Sequence, residues 1–133
     1  GKGGDAADMR EKKKEPSETL SDFLSYIDQI RSEYKAAEDA MKIEDKRLQD
    51  LLHELEFAKD KAERNRVATK LQRSRRERRR QKDEMMRLEL IGQFFDEQTP
   101  KSTVNKMRQL LGRQRKQEEF LSGERHYNKR VQE

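Results

Sequence analysis

One heptad repeat constrains the fold of this chain more than any other feature of its sequence. Between Leu20 and Gln98 there is no proline and a single glycine, Gly92. Apolar side chains recur there every seven residues, at Leu20, Ile27, Tyr34, Met41, Leu48, Leu55 and Ala62. The intervening seam positions hold Phe23, Ile30, Ala37, Leu51 and Ala58, with the polar Glu44 among them. Because this spacing keeps one helical face toward a partner helix, the pattern predicts a coiled coil.

Beyond Ala62 the repeat resumes with its phase shifted by two residues, which indicates a second helix. Its seam positions are Val67, Leu71, Ser74, Arg78, Gln81, Met85, Leu88, Gly92 or Ile91, and Phe95. Skips within one continuous coiled coil usually comprise three or four residues, so two helices are favoured over one rod. In an antiparallel hairpin, the residue numbers of two facing positions have a constant sum. A sum of 118 or 119 places Ile30 opposite Leu88 and Glu44 opposite Ser74.

The turn of this hairpin is predicted near residues 58–61. Asp60 is suited to cap the second helix, and Glu63 three residues later completes a pair similar to a capping box. The antiparallel pairing also brings Glu44 near Arg78. Since the turn contains no strong helix breaker, a continuous helix within an oligomer is the alternative.

A third, shorter helix is predicted after the hairpin. Thr99 precedes a proline, so it ends the second helix, and it is suited to cap the next one. The apolar face of the third helix comprises Val104, Met107, Leu110, Leu111 and Leu121. Gly123 is the predicted stop. Because Leu90 and Phe94 lie off the seam of the second helix, we expect the third helix to bury them.

Together these patterns predict an all-α fold, in which a long antiparallel coiled-coil hairpin has a third, shorter helix packed at its base. The predicted segments are a disordered tail at 1–16, the hairpin at 17–98, the third helix at 99–123 and a polar tail at 124–133. Ser17 or Thr19 is the predicted N-cap of the first helix.

The composition limits what such a chain can do. Only 30% of the residues are hydrophobic and 44% are charged, so the seams form a stripe rather than a wide core. The chain has no cysteine, no apolar run of membrane-spanning length and no secretory signal pattern. We therefore expect an intracellular protein, cytoplasmic or nuclear, without a membrane span. The small number of apolar seam residues also leaves room for a homodimer.

The net charge of +5 conceals a strong segregation along the chain. Residues 59–82 carry 12 basic and 3 acidic side chains, whereas residues 20–58 carry 5 and 10. With Arg78 as the inward reference, and about 100° per residue, four arginines fall on the opposite face of the second helix. These candidate nucleic-acid-binding residues are Arg66, Arg73, Arg76 and Arg80. Arg75 and Arg79 flank the seam, where we expect them to reach acidic residues of the first helix.

Two interpretations of the basic segment remain open. In one, acids of the first helix neutralise it through exposed pairs that contribute about 0–1 kcal/mol each. In the other, the guanidinium groups bind phosphate, for which their planar forks are suited. We predict a non-enzymatic accessory protein that binds DNA or RNA through phosphate contacts. The alternative is a coiled-coil adaptor or assembly factor that binds a protein, for instance an acidic surface, without nucleic acid.

Nothing in the sequence suggests a catalytic site. His53 and His126 are isolated, and the sequence has no cysteine and no phosphate-binding glycine loop. Its histidines and carboxylates do not show the spacing of metal ligands. The sequence therefore predicts no enzymatic activity, no cofactor and no bound metal.

Overall fold

The computed structural model describes residues 13–124 and 127–131, which contain three helices and no strand. Helix α1 spans Pro16–Glu56, α2 spans Lys61–Gln98 and α3 spans Lys101–Ser122. The predicted all-α class is confirmed. The chain divides into two compact units. One consists of residues 27–99, and the other, called here the terminal unit, consists of the described parts of 1–26 and 100–133.

Most of the two predicted tails lies outside the described residues. Of the disordered tail predicted at 1–16, residues 1–12 are not described, and Pro16 already belongs to α1. In the predicted polar tail, residues 125, 126, 132 and 133 are not described, so the interpretation of His126 is untested.

A short connection of four residues joins α1 to α2, and local capping explains where α2 begins. The side-chain Oδ1 of Asp60 accepts a hydrogen bond of 2.8 Å from the backbone N–H of Glu63. In return, Oε2 of Glu63 accepts one of 2.7 Å from the backbone N–H of Lys59. These bonds satisfy donors at the start of the helix that no earlier carbonyl can reach. The structure confirms Asp60 as the N-cap.

Contacts between α1 and α2 within residues 27–99 run in opposite directions along the two helices. Ion pairs join Arg31 to Asp96 at 3.1 Å, Asp45 to Arg78 at 2.7 Å and Glu54 to Lys70 at 3.0 Å. Positions thus rise along α1 as their partners fall along α2. This order is compatible with the predicted antiparallel hairpin.

Apolar and polar contacts alternate along this helix pair. Ile27, Ile30, Leu88 and Phe95 form a buried cluster against which Tyr34 packs. Further along, the hydroxyl of Ser74 donates a 2.5 Å hydrogen bond to Oε2 of Glu44, and both side chains are buried. The expected encounter of Glu44 with Ser74 is confirmed. Arg78 pairs with Asp45 rather than with Glu44.

The terminal unit forms where α3 packs on the first residues of α1. Leu24, Val104 and Leu111 form its buried cluster, and Leu20 and Met107 pack against it. Ser17 lies in the first turn of α1, so it is not the N-cap that the sequence predicts. Its backbone N–H donates to Oε2 of Glu118 at 2.9 Å, and its hydroxyl donates to Oε1. The hydroxyl bond is the main reason why the pKa of Glu118 lies below its ordinary value.

Two further expectations are wrong. Thr99 does not cap α3; it is the C-cap of α2, and its N–H donates to the carbonyl oxygen of Phe95. Pro100 occupies the N-cap position of α3 without a side-chain bond. Leu90 and Phe94, expected to be buried, are 80% and 60% exposed. Val104 and Leu111, the buried residues of α3, pack with Leu24 within the terminal unit.

Candidate nucleic-acid interface

The basic segment, residues 59–82, lies almost entirely on the first half of α2. Arginine, lysine, glutamine and glutamate dominate it, and all four favour helices, so no propensity opposes the heptad pattern. Val67 and Ser74 are buried and mark the side of α2 that faces α1. The remaining positions of the segment are free to carry charge.

All four sequence-predicted arginines are exposed, and they fall within one arc of about 80° around α2. Measured from the buried Ser74 at about 100° per residue, Arg76 lies about 160° away and points outward. Arg66, Arg73 and Arg80 lie only about 80–120° away, along one flank of α2. Measured from Ser74 rather than from Arg78, the predicted stripe is thus centred on a flank of α2 rather than directly opposite the seam. Its reference residue, Arg78, lies at the edge of the seam and is only partly buried.

Two of these three arginines, Arg73 and Arg80, line a groove between α1 and α2. The groove has a volume of about 450 Å³, and its charged lining comprises the basic Arg47, Lys70, Arg73 and Arg80 and the acidic Glu44 and Glu77. Arg47 belongs to α1 and pairs with Glu44 at 3.3 Å. The sequence interpretation missed Arg47, although the antiparallel pairing sum already places position 47 near 72. Guanidinium groups from both helices therefore converge on one concave surface.

Arg80 is partly neutralised by a neighbour on its own helix. Its Nε donates to Oε2 of Glu77 at 2.9 Å, and a second donor, Nη2, bonds to the same oxygen. The pKa of Glu77 is lowered, first by a hydrogen bond from the amide of Gln81 and then by that from Arg80. Of the four candidates, Arg80 is thus the one with an acidic partner.

Ion pairing with α1 occupies few of the basic side chains in this segment. Of the 12 in residues 59–82, three form ion pairs with described carboxylates: Lys70, Arg78 and Arg80. The other nine form none within the described part of the chain, and these include Arg66, Arg73 and Arg76. Acids of α1 pair with both helices. Glu38, Asp39 and Glu44 pair with basic residues of α1 itself, and Glu33, Asp45 and Glu54 pair with basic residues of α2.

Arg75 and Arg79 do not reach the acids of α1. Neither forms an ion pair with a carboxylate in residues 13–124 or 127–131. From Ser74, Arg79 lies about 140° away and Arg75 about 100° away, on the side of α2 opposite the groove. Arg78 and Lys70 make the contacts that the sequence assigned to this pair. Arg79 together with Arg76 therefore forms the most outward part of the basic surface.

The described residues form neither a metal-binding cluster nor a membrane-spanning helix. No group of three or more histidine, cysteine, aspartate or glutamate side chains there is arranged to hold a metal ion. His53 lies 3.7 Å from Glu56 on α1. None of the helices in this part of the chain is both long and apolar enough to cross a membrane.

Comparisons with protein-family models, curated proteins and solved structures found no match to this chain.

Proposed function

We propose that this chain is a non-enzymatic accessory protein that binds nucleic acid through the phosphates. The observation that carries the proposal is the excess of unpaired basic side chains in residues 59–82, nine of 12. Intramolecular neutralisation would have required more ion pairs to α1 than the two observed in this segment. Guanidinium groups without carboxylate partners remain available to phosphate oxygens, and their binding releases counterions.

The proposed scaffold is an antiparallel coiled-coil hairpin formed by residues 17–98. Its stiffness would hold the basic side chains at helical spacing, and residues 66–80 cover about 21 Å at 1.5 Å per residue. Several phosphates of a duplex could be contacted over this length, with little direct reading of bases. Arg66, Arg73 and Arg76 are the main contacts in this proposal, and Arg80 is a weaker one because of Glu77.

The proposal is tested by measuring DNA and RNA affinity across a range of salt concentrations. Replacing Arg66, Arg73, Arg76 and Arg80 by Gln is expected to weaken binding by about tenfold or more. The slope of log K against log salt should flatten by up to about 2.7 for duplex DNA. Three of the four guanidinium groups are unpaired, and each lost phosphate contact contributes about 0.9.

A control with the same net charge separates location from total charge. Replacing Arg31, Lys35, Lys42 and Arg87 by Gln also removes four cations, all of which pair with carboxylates outside residues 59–82. The slope of log K against log salt for this variant should equal that of the unmodified chain. Equal weakening by the two quadruple variants would show that overall charge, rather than this face, drives binding.

The second candidate is a coiled-coil adaptor that binds a protein without nucleic acid. The exposure of Leu90 and Phe94 favours it, because apolar side chains on a helix face commonly mark a protein contact. If neither DNA nor RNA binds detectably at low salt, the adaptor becomes the favoured function. An intracellular location, cytoplasmic or nuclear, is part of both proposals.

A further inference from the structure

The exposed face of α2 carries a second heptad repeat, on the side opposite the buried one. Its positions are Arg79, Asp83, Met86, Leu90, Gln93 and Glu97, with Phe94 beside Leu90. The spacing of four, three, four, three and four residues is that of alternating a and d positions. Met86, Leu90 and Phe94 are 61%, 80% and 60% exposed, whereas Leu88 and Phe95 are buried against α1. Helix α2 thus has one apolar seam that packs against α1 and a second one whose apolar side chains are exposed.

When two copies of this second seam are placed antiparallel, the residues of one copy are complementary to those of the other. Positions that sum to 176 pair Met86 with Leu90, Asp83 with Gln93, and Arg79 with Glu97. The midpoint of the pairing is position 88, so each contact occurs twice around a two-fold axis. In addition, every pair joins an a position to a d position, as an antiparallel coiled coil requires. A basic residue and an acidic residue then face each other at both ends of an apolar centre.

The charged ends of the seam are available for such a contact. Neither Arg79 nor Glu97 forms an ion pair with any carboxylate or cation in the described part of the chain. The seam from residue 79 to residue 97 is about 27 Å long. All of these residues lie within the unit of residues 27–99, on one continuous helix.

We propose that this face of α2 binds the same face of a second copy of the chain in an antiparallel homodimer. A partner with a different surface would not need basic and acidic residues placed at equal distances from one midpoint. A surface that matches itself after a two-fold rotation is what an isologous dimer requires. Burial of Met86, Leu90 and Phe94 from both copies provides the apolar contribution. The inference does not depend on nucleic-acid binding.

The first test measures the mass of the full chain by sedimentation equilibrium over a concentration series, after nucleic acid has been removed. A mass that rises from 15.9 kDa toward twice that value is expected. Leu90→Lys should weaken dimerisation by about tenfold or more, since its side chain is desolvated only in the dimer. Ile43→Lys is the matched control, because Ile43 is exposed on α1 and should leave the dimer unchanged.

A charge-exchange experiment then identifies the second copy as the partner. Arg79→Glu and Glu97→Arg should each weaken the dimer when studied alone, because like charges then face each other at both ends. An equimolar mixture of the two variants should dimerise like the parent, because every end again pairs an acid with a base.

Circular dichroism of each variant verifies that helicity is retained. If the unmodified chain stays monomeric at every concentration, the proposal is wrong, and a different protein becomes the expected partner of this face. A dimer that Leu90→Lys and the charge changes do not weaken would also overturn it.

Discussion

The two parts of the helix pair in residues 27–99 bury different amounts of apolar side chain, and only Leu51 and Val67 are buried apolar residues of the basic part among those that the structure describes. In the apolar part, residues 27–37 of α1 face residues 85–95 of α2, and Ile27, Ile30, Leu88 and Phe95 are buried together. In the basic part, residues 44–54 face residues 67–80. Its buried contacts include the Glu44–Ser74 hydrogen bond, and its ion pairs join Asp45 to Arg78 and Glu54 to Lys70.

This difference explains how one helix can present a strongly basic surface and still dock. Exposed ion pairs contribute little to stability, whereas a cluster of buried aliphatic and aromatic side chains contributes several kcal/mol. The apolar part therefore supplies most of the stability. The basic part needs only a few cross-helix contacts, so its other positions are free to carry arginine.

The largest expected effect comes from the apolar part. Leu88→Ala should lower the free energy of unfolding by about 2–5 kcal/mol, because Leu88 is fully buried and the change leaves a cavity. Val67→Ala, at a buried position of the basic part, should cost about 1.5 kcal/mol for the two carbons removed. Urea unfolding of both variants measures the two losses in the free energy of unfolding. A larger loss at Val67 than at Leu88 would contradict the assignment of stability to the apolar part.

An intermediate effect is expected at the buried polar contact. Glu44→Ala should destabilise the fold by about 1–3 kcal/mol, because it leaves the Ser74 hydroxyl buried without its acceptor. The double variant with Ser74→Ala should recover part of that loss, since no buried donor then remains. Thermal unfolding of the single and double variants provides the measurement. If the double variant is less stable than Glu44→Ala, the hydroxyl does not determine the cost.

The smallest effect is a gain at the one glycine of the helix pair. A Cβ added at Gly92 would lie 3.7 Å from Cγ2 of Ile30, which is ordinary van der Waals contact. Gly92→Ala should therefore raise the free energy of unfolding by about 0.5–1 kcal/mol through helix propensity. Gly112→Ala in α3 is the control, because nothing lies within 4 Å of its added Cβ. A loss at Gly92 with a gain at Gly112 would show that the apolar part has no room for a methyl group.

Local interactions were readable from the sequence because they involve residues a few positions apart. The Asp60–Glu63 cap is an example, since its donors and acceptors lie within one helical turn. The facing of Glu44 and Ser74 was also predictable, because a heptad repeat relates each position of one helix to a position of the other. The all-α class follows from the same repeats.

The tertiary structure alone decided which basic residues pair with α1 and which residues α3 packs against. Lys70 and Arg78 pair with acids of α1, whereas Arg75 and Arg79, which were expected to do so, form no ion pair within the described part of the chain. In the terminal unit, Val104 and Leu111 of α3 pack with Leu24 of α1. Both outcomes depend on competition between contacts of residues far apart in the chain, and periodicity along one helix does not rank such contacts.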